Sequence, residues 1–296
     1  MTAQRREVAI PGGTMSCLVW EAAGPSAPLL VFCHATGLNA GAYRRLLEPL
    51  ADRFRIIAVD QRGHGMSRLP DDPALLRGWH LYREDLAAFL RTLGEPPLLA
   101  GHSMGASVAT LTAARYPDLM RGVLLVEPAL IAPPLAPYLG IQRLFGHYRV
   151  FEIARRAARR RAVWPDRASM IEAWAGRGAF TSWPEGWLED YVEGGTRDLD
   201  DGQVTLACTP EWESWTFRTA TCAIWVWLAR LRVPAILLKG TVNSTVMMGS
   251  RAAFVALVRH ASARTIEGAS HFLPQERPDL VREAIVELAG EADRRG

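Results

Sequence analysis

Apolar and polar positions in the first 128 residues fall into short blocks. Residues 6–11, 15–22, 29–35, 55–60, 98–103 and 122–127 are apolar or alternating runs bounded by turn residues, and they predict strands. Helical spacing fills the gaps between the later runs, so those strands pair in parallel through helical crossovers. The first two, separated only by Gly12 and Gly13, pair as an antiparallel hairpin at the N-terminal edge. After Pro128 the strand rhythm stops. Helical patterns run through residues 143–164, 166–174 and 184–193, and the stretch lasts to about Arg230. The strand-helix rhythm then returns with a strand at 233–239, a helix at 250–260, a short strand at 264–266 and a closing helix at 278–289. The expected architecture is α/β: a mostly parallel, doubly wound sheet built from residues 1–128 and 231–296, with a helical cap at 129–230 inserted after the sixth strand.

Composition narrows the functional classes. The 296-residue chain is 49% hydrophobic and 22% charged, enough for a sizeable core and without a signature of disorder. A net charge of +3 is spread along the chain with no basic stripe interleaved with aromatic residues, which argues against a nucleic-acid partner. No apolar run is long enough to span a bilayer, and the first 13 residues are too polar for a secretory signal, so a cytoplasmic location without membrane association is expected. Cys17, Cys33, Cys208 and Cys222 show neither disulfide-framework nor zinc spacing and read as reduced thiols. No metal or organic cofactor is implied.

Candidate chemistry begins at Gly101-His102-Ser103-Met104-Gly105, a G-x-S-x-G run with an apolar strand before it and a small-residue helix after it. A serine on such a turn is lifted clear of the sheet as an exposed nucleophile, and the two glycines let strand and helix pass closely. A serine hydroxyl needs a base, and His271, in the loop between the last strand and the closing helix, is placed to reach it. The oxyanion formed on attack needs two N–H donors. Met104 supplies one and Thr36, in His34-Ala35-Thr36-Gly37, the other, with His34 shaping the loop beside the substrate.

Together with Asp60-Gln61-Arg62-Gly63-His64-Gly65 and residues 268–274, these segments resemble the α/β-hydrolase superfamily over nearly the whole core. The resemblance implies that fold, a cap after the sixth strand and a triad in the order serine, acid, histidine. Two positions depart from the pattern. Ala35 stands where glycine is usual, and no acidic residue occurs between Leu231 and Thr265, where most members carry the triad aspartate. Some members use a carboxylate after the sixth strand, and Glu127 stands there. It is assigned as the partner of His271, ahead of Asn243 and Asp60.

Eight of the ten tryptophans fall between Trp164 and Trp227. Such a cap supplies rigid apolar surface, and Trp183, Trp187 and Trp215 are expected to line a pocket for a hydrophobic or aromatic ligand. The arginine run at 155–161 reads as the solvated face of a helix rather than an anion site. The resulting expectation is a serine hydrolase acting through an acyl-enzyme on a small hydrophobic ester or lactone. Carbon–carbon bond hydrolysis or perhydrolysis on the same scaffold, a non-catalytic sensor of a small ligand, and a homodimer stay open.

Overall fold

The computed structural model of the chain describes residues 2–21, 23–130, 152–221 and 223–295. Its main sheet grows from the runs with the fewest polar residues. β3 (Leu29–Cys33), β5 (Leu98–His102) and β6 (Gly122–Val126) are buried along their whole length, as central strands covered on both faces must be. β1 (Gln4–Ile10) is mostly exposed at one edge and forms a hairpin with β2 (Gly13–Trp20) across Gly12 and Gly13, both at positive φ. With β4 (Arg55–Val59) and two strands from the end of the chain, Ala235–Gly240 and Ala261–Ile266, they form an eight-stranded sheet. Its order is β1, β2, β4, β3, β5, β6, Ala235–Gly240, Ala261–Ile266. β1 and β2 run antiparallel to their neighbours, and the other pairings are parallel.

The period-2 alternation of each strand sorts its side chains between two cores. Leu30, Phe32, Leu98, Ala100, Leu124 and Val126 face one core with Val281, Ile285 and Leu288 of the closing helix Pro278–Asp293. Val31, Cys33, Leu99, Val123 and Leu125 face the other, with the helices His80–Arg91 and Met104–Arg115. The sheet is therefore doubly wound, as the spacing of the sequence implied. Among the described residues no helix is long and apolar enough to cross a membrane. Cys17, Cys33 and Cys208 are buried and unbridged, and Cys222 lies outside the described residues.

The segment between β6 and Ala235 is less purely helical than its pattern suggested. It holds the helices Glu152–Ala158, Arg167–Trp174, Trp187–Gly195, Pro210–Arg218 and Ile224–Leu228. It also holds a small antiparallel sheet in which β7 (Val163–Trp164) and β8 (Thr196–Asp198) flank β9 (Val204–Leu206). Val163 and Trp164, expected at the end of a helix, pair instead with Val204 and Thr205. Two residues carry no periodicity of their own, so their state is set by the partner strand. Residues 143–151 of that expected helix lie outside the described residues.

Tryptophan docks this segment on the sheet. The Trp212 indole N–H donates to the carbonyl of Arg62 at 3.1 Å, and Trp79 of the core donates to Thr216 at 2.9 Å. Gly63 lies directly beneath Trp212, where a Cβ would come within 2.1 Å of the indole nitrogen. Gly105 is equally constrained, because a Cβ there would lie 2.2 Å from the carbonyl oxygen of Cys33. That neighbour is strand backbone and cannot turn aside. Gly105→Ala is therefore expected to cost about 1–3 kcal/mol, the usual price of overpacking. Calorimetry should show a melting temperature lower by several degrees; an unchanged one would mean that helix and strand can separate freely.

Candidate active site

Among the described residues four that are not glycine adopt positive φ: Ser103, Glu127, Asn243 and His260. Ser103 follows β5, Glu127 follows the adjacent β6, and Asn243 lies in the turn after Ala235–Gly240, the next strand of the sheet. Backbone strain of this kind concentrates at functional sites, and the carboxyl ends of parallel strands are where α/β sheets bind ligands. At Ser103 the backbone takes φ 53° and ψ −113°, its N–H donates to Val126 at 2.9 Å, and Met104 begins a helix immediately afterwards. The side chain is thereby turned out of the sheet, as the G-x-S-x-G run implied.

His271 reaches the same place from the loop after Ala261–Ile266. Its Nδ1 lies 3.4 Å from Oε2 of Glu127 and 3.2 Å from Oγ1 of Thr245. Glu127 is fully buried yet richly served: Gly240 N–H at 2.5 Å, Ser244 Oγ at 2.7 Å and Thr245 N–H at 2.8 Å all donate to its carboxylate. Burial alone would push its carboxyl upward. The hydrogen bonds from His271, Gly240 and Ser244 outweigh burial and hold it below the ordinary carboxylate range. An ionised carboxylate only accepts, so the proton of a neutral His271 ring sits on Nδ1 and Nε2 is the basic nitrogen.

The two rivals for this role lie elsewhere. Asp60 is buried with its oxygens taken by Arg5 at 2.7 Å, Ala40 N–H at 2.8 Å and Met66 N–H at 3.0 Å, which makes it a pin between loops. Asn243 is exposed. Ser244 and Thr245, which hold Glu127 in place, escaped the sequence reading because hydroxyl residues in a turn give no distinctive pattern.

The loop after β3 has a specific inventory of N–H groups. Ala35 donates to the Tyr43 hydroxyl at 3.1 Å, Gly37 to Nε2 of His64 at 3.1 Å and Leu38 to the Ala35 carbonyl at 3.1 Å. No acceptor among the described residues takes the Thr36 N–H. Met104, as the first residue of its helix, has no acceptor within that helix for its own N–H. His34 does not reach the cavity. It is fully buried under the loop, donating from Nδ1 to the Ala35 carbonyl at 2.8 Å and accepting the Gln61 N–H at 2.9 Å. Burial holds His34 down to about 4 and His64 to about 3, so both rings are neutral struts.

Ser103, Thr36 and His271 line one cavity of about 310 Å³. Its opposite wall comes from the inserted segment and the His271 loop: Ile153, Ala157, Trp174, Phe180, Tyr191, Phe217 and Phe272, with Arg156, Arg160 and Glu213 as the polar groups. None of the three expected tryptophans is in that wall. Trp183 packs behind it, with ring centroids 4.9 Å from Phe180 and 5.8 Å from Phe272. Trp187 is buried in the core, and Trp215 packs against the other core cluster beneath the Arg218 guanidinium. Trp174 takes the place that they were expected to fill.

The arginine run is also only partly solvated. Arg160 is a quarter exposed, with Nη1 2.6 Å from Glu213 and Nη2 3.0 Å from the Tyr191 hydroxyl. Burial opposes its charge, but Tyr191 and Glu213 more than compensate and raise its pKa. Ile153, Arg156 and Ala157 have the i, i+3, i+4 spacing of one face of the helix Glu152–Ala158, and Arg160 follows just past its end, a signal that the density of arginine concealed. A turned-out hydroxyl, an imidazole backed by a carboxylate and the Thr36 N–H on one cavity, with the Met104 N–H directly after the serine, are parts that acyl transfer requires.

The profile of the Alpha/beta hydrolase family matches residues 30–284. The chain is 27% identical over 263 residues to the 2-(acetamidomethylene)succinate hydrolase of Mesorhizobium japonicum, covering 88% of this chain and 87% of that protein. It is 30% identical to the monoglyceride lipase of Homo sapiens over 129 residues, 42% of each. Among solved structures, E-2-(acetamidomethylene)succinate hydrolase superposes with a TM-score of 0.78 at 25% identity, covering 97% of this chain and 99% of that one. A Mycobacterium tuberculosis esterase superposes with a TM-score of 0.71 at 24% identity over 98% and 92%, a likeness of fold. With the strand order, the serine turn and a profile match across both halves of the sheet in agreement, the chain belongs to the alpha/beta hydrolase family.

Proposed function

We propose that this protein is a serine hydrolase that cleaves a compact carboxylic ester or lactone through an acyl-enzyme. Ser103 Oγ attacks the carbonyl carbon while His271 Nε2 takes the hydroxyl proton, and Glu127 stabilises the imidazolium that results. The oxyanion is received by the N–H groups of Thr36 and Met104. His271 then gives its proton to the departing alkoxide, and water activated by the same nitrogen hydrolyses the acyl-serine. The observation that carries this reading is the convergence of Ser103, Thr36 and His271 on one cavity with Glu127 behind the imidazole.

The cavity favours a substrate with an apolar body, because aromatic and aliphatic side chains dominate its wall. Arg156 and Arg160, paired with Glu152 and Glu213, bring two guanidinium groups to that wall. Together with a relative named for a succinate derivative, they support a second reading in which the substrate carries a carboxylate.

A fluorophosphonate probe followed by peptide mapping tests the mechanism: a single adduct on Ser103 is expected, and none on Ser103→Ala. A well-folded native protein that takes no label would overturn it. Matched esters with neutral and carboxylate-bearing acyl chains then separate the two substrate readings by kcat/KM.

A further inference from the structure

We propose that His102, the residue before Ser103, is a positioning residue that ties the loop of His271 and the oxyanion loop to the serine turn through one chain of ordered protons. The inference rests on the hydrolase reading above and adds to it a group that touches no substrate.

The His102 ring is fully buried, as is Tyr43. Its Nε2 lies 2.8 Å from the main-chain carbonyl oxygen of His271 and its Nδ1 lies 2.7 Å from the hydroxyl of Tyr43. A carbonyl only accepts, so Nε2 carries the proton. Burial and the nearby His271 hold the His102 pKa well below the ordinary histidine value, so the ring is neutral and Nδ1 is an acceptor. The Tyr43 hydroxyl must then donate to Nδ1, and its oxygen accepts the N–H of Ala35 at 3.1 Å.

Each bond has one possible polarity: Ala35 N–H to Tyr43 oxygen, Tyr43 O–H to His102 Nδ1, His102 Nε2–H to His271 carbonyl. The chain begins beside Thr36 and ends on the main chain of His271. It is anchored in the middle to β5, one residue from Ser103. Three parts of the site that come from distant stretches of sequence thus share one rigid brace. An apolar residue at 102 would fill the same space but remove the donor to the His271 carbonyl and the acceptor of the Tyr43 O–H, so that Tyr43 would keep the Ala35 N–H but the tie between the two loops would be cut.

The test is steady-state hydrolysis of p-nitrophenyl butyrate and the rate of fluorophosphonate labelling by the native protein, Tyr43→Phe, His102→Leu, His102→Gln and the Tyr43→Phe/His102→Leu double variant, each at a temperature where it is folded. A reactive centre displaced by a fraction of an ångström to an ångström loses up to about 100-fold in rate. We therefore expect kcat and the labelling rate to fall about 10- to 100-fold in His102→Leu, with KM changed by less than about threefold.

His102→Gln, whose amide can still donate to the His271 carbonyl, should recover part of that loss. The double variant should be no slower than His102→Leu alone, because one chain broken twice is still one chain. Tyr43→Phe removes a single oxygen and keeps the test decisive if a His102 variant does not fold. Native rates in folded Tyr43→Phe and His102→Leu, or losses that multiply in the double variant, would overturn the brace while Ser103 labelling of the native protein left the hydrolase reading intact. A native protein that takes no label would overturn both.

Discussion

Ser103→Ala is expected to lower kcat for an activated ester by about a millionfold, to the residue that binding and the oxyanion donors supply on their own. KM should move far less, because alanine leaves the cavity wall and both N–H donors in place. The same position makes a separate claim about stability. Its φ of 53° and ψ of −113° lie where a side chain with a Cβ is strained, at a cost of about 1–3 kcal/mol. Glycine takes such values freely. Ser103→Gly should therefore be as inactive as Ser103→Ala and melt a few degrees higher, a comparison that scanning calorimetry makes directly. Retention of more than about one hundredth of native kcat by Ser103→Ala would place the nucleophile elsewhere. Equal melting temperatures for the two variants would remove the strain argument without touching the chemistry.

Ser103, Thr36 and His271, which line one cavity, are each marked in the chain by local grammar. The serine sits between a strand and a helix in a glycine-flanked turn, and the other two occupy loops whose place follows from the order of strands. The sheet was legible for the same reason: its central strands are apolar throughout, and the hairpin is marked by two glycines. Glu127 was reached by a different route, through the lack of any acid between Leu231 and Thr265, and the structure puts it within 3.4 Å of His271.

The cavity wall resisted such reading. Trp174 and Trp183 lie in the same aromatic cluster about Phe180, and only the first faces the cavity. That difference is decided by how the inserted helices rest on the sheet, and nothing in the residue type encodes it. Arg160 illustrates the opposite error. Its charge suggested solvent, but Glu213 and Tyr191, which are distant in sequence, supply partners that make partial burial tolerable.

Glu127→Gln should be the second most damaging substitution, lowering kcat by about 1,000- to 10,000-fold. An amide that turns its N–H₂ toward the imidazole favours the tautomer with a bare Nδ1 and the proton on Nε2, the wrong nitrogen. One that turns its oxygen there cannot stabilise the imidazolium. It also loses half of its acceptors where Gly240, Ser244 and Thr245 require them, so a loss of about 1–3 kcal/mol in stability accompanies the kinetic defect.

The sign of the pH dependence follows. The folded protein holds the Glu127 carboxyl below its ordinary value of 4.5, so this contribution to stability is complete above that value and is lost as pH falls through the lower, folded one. The gap in melting temperature between native and Glu127→Gln protein should therefore be constant near neutrality and narrow below about pH 4.5. Asp60→Asn supplies the contrast: it weakens bonds to Arg5, Ala40 and Met66 and should lower the melting temperature while leaving kcat within about threefold of native. If Glu127→Gln turned over normally and folded Asp60→Asn did not, the carboxylate behind His271 would have to be reassigned to the loop after β4.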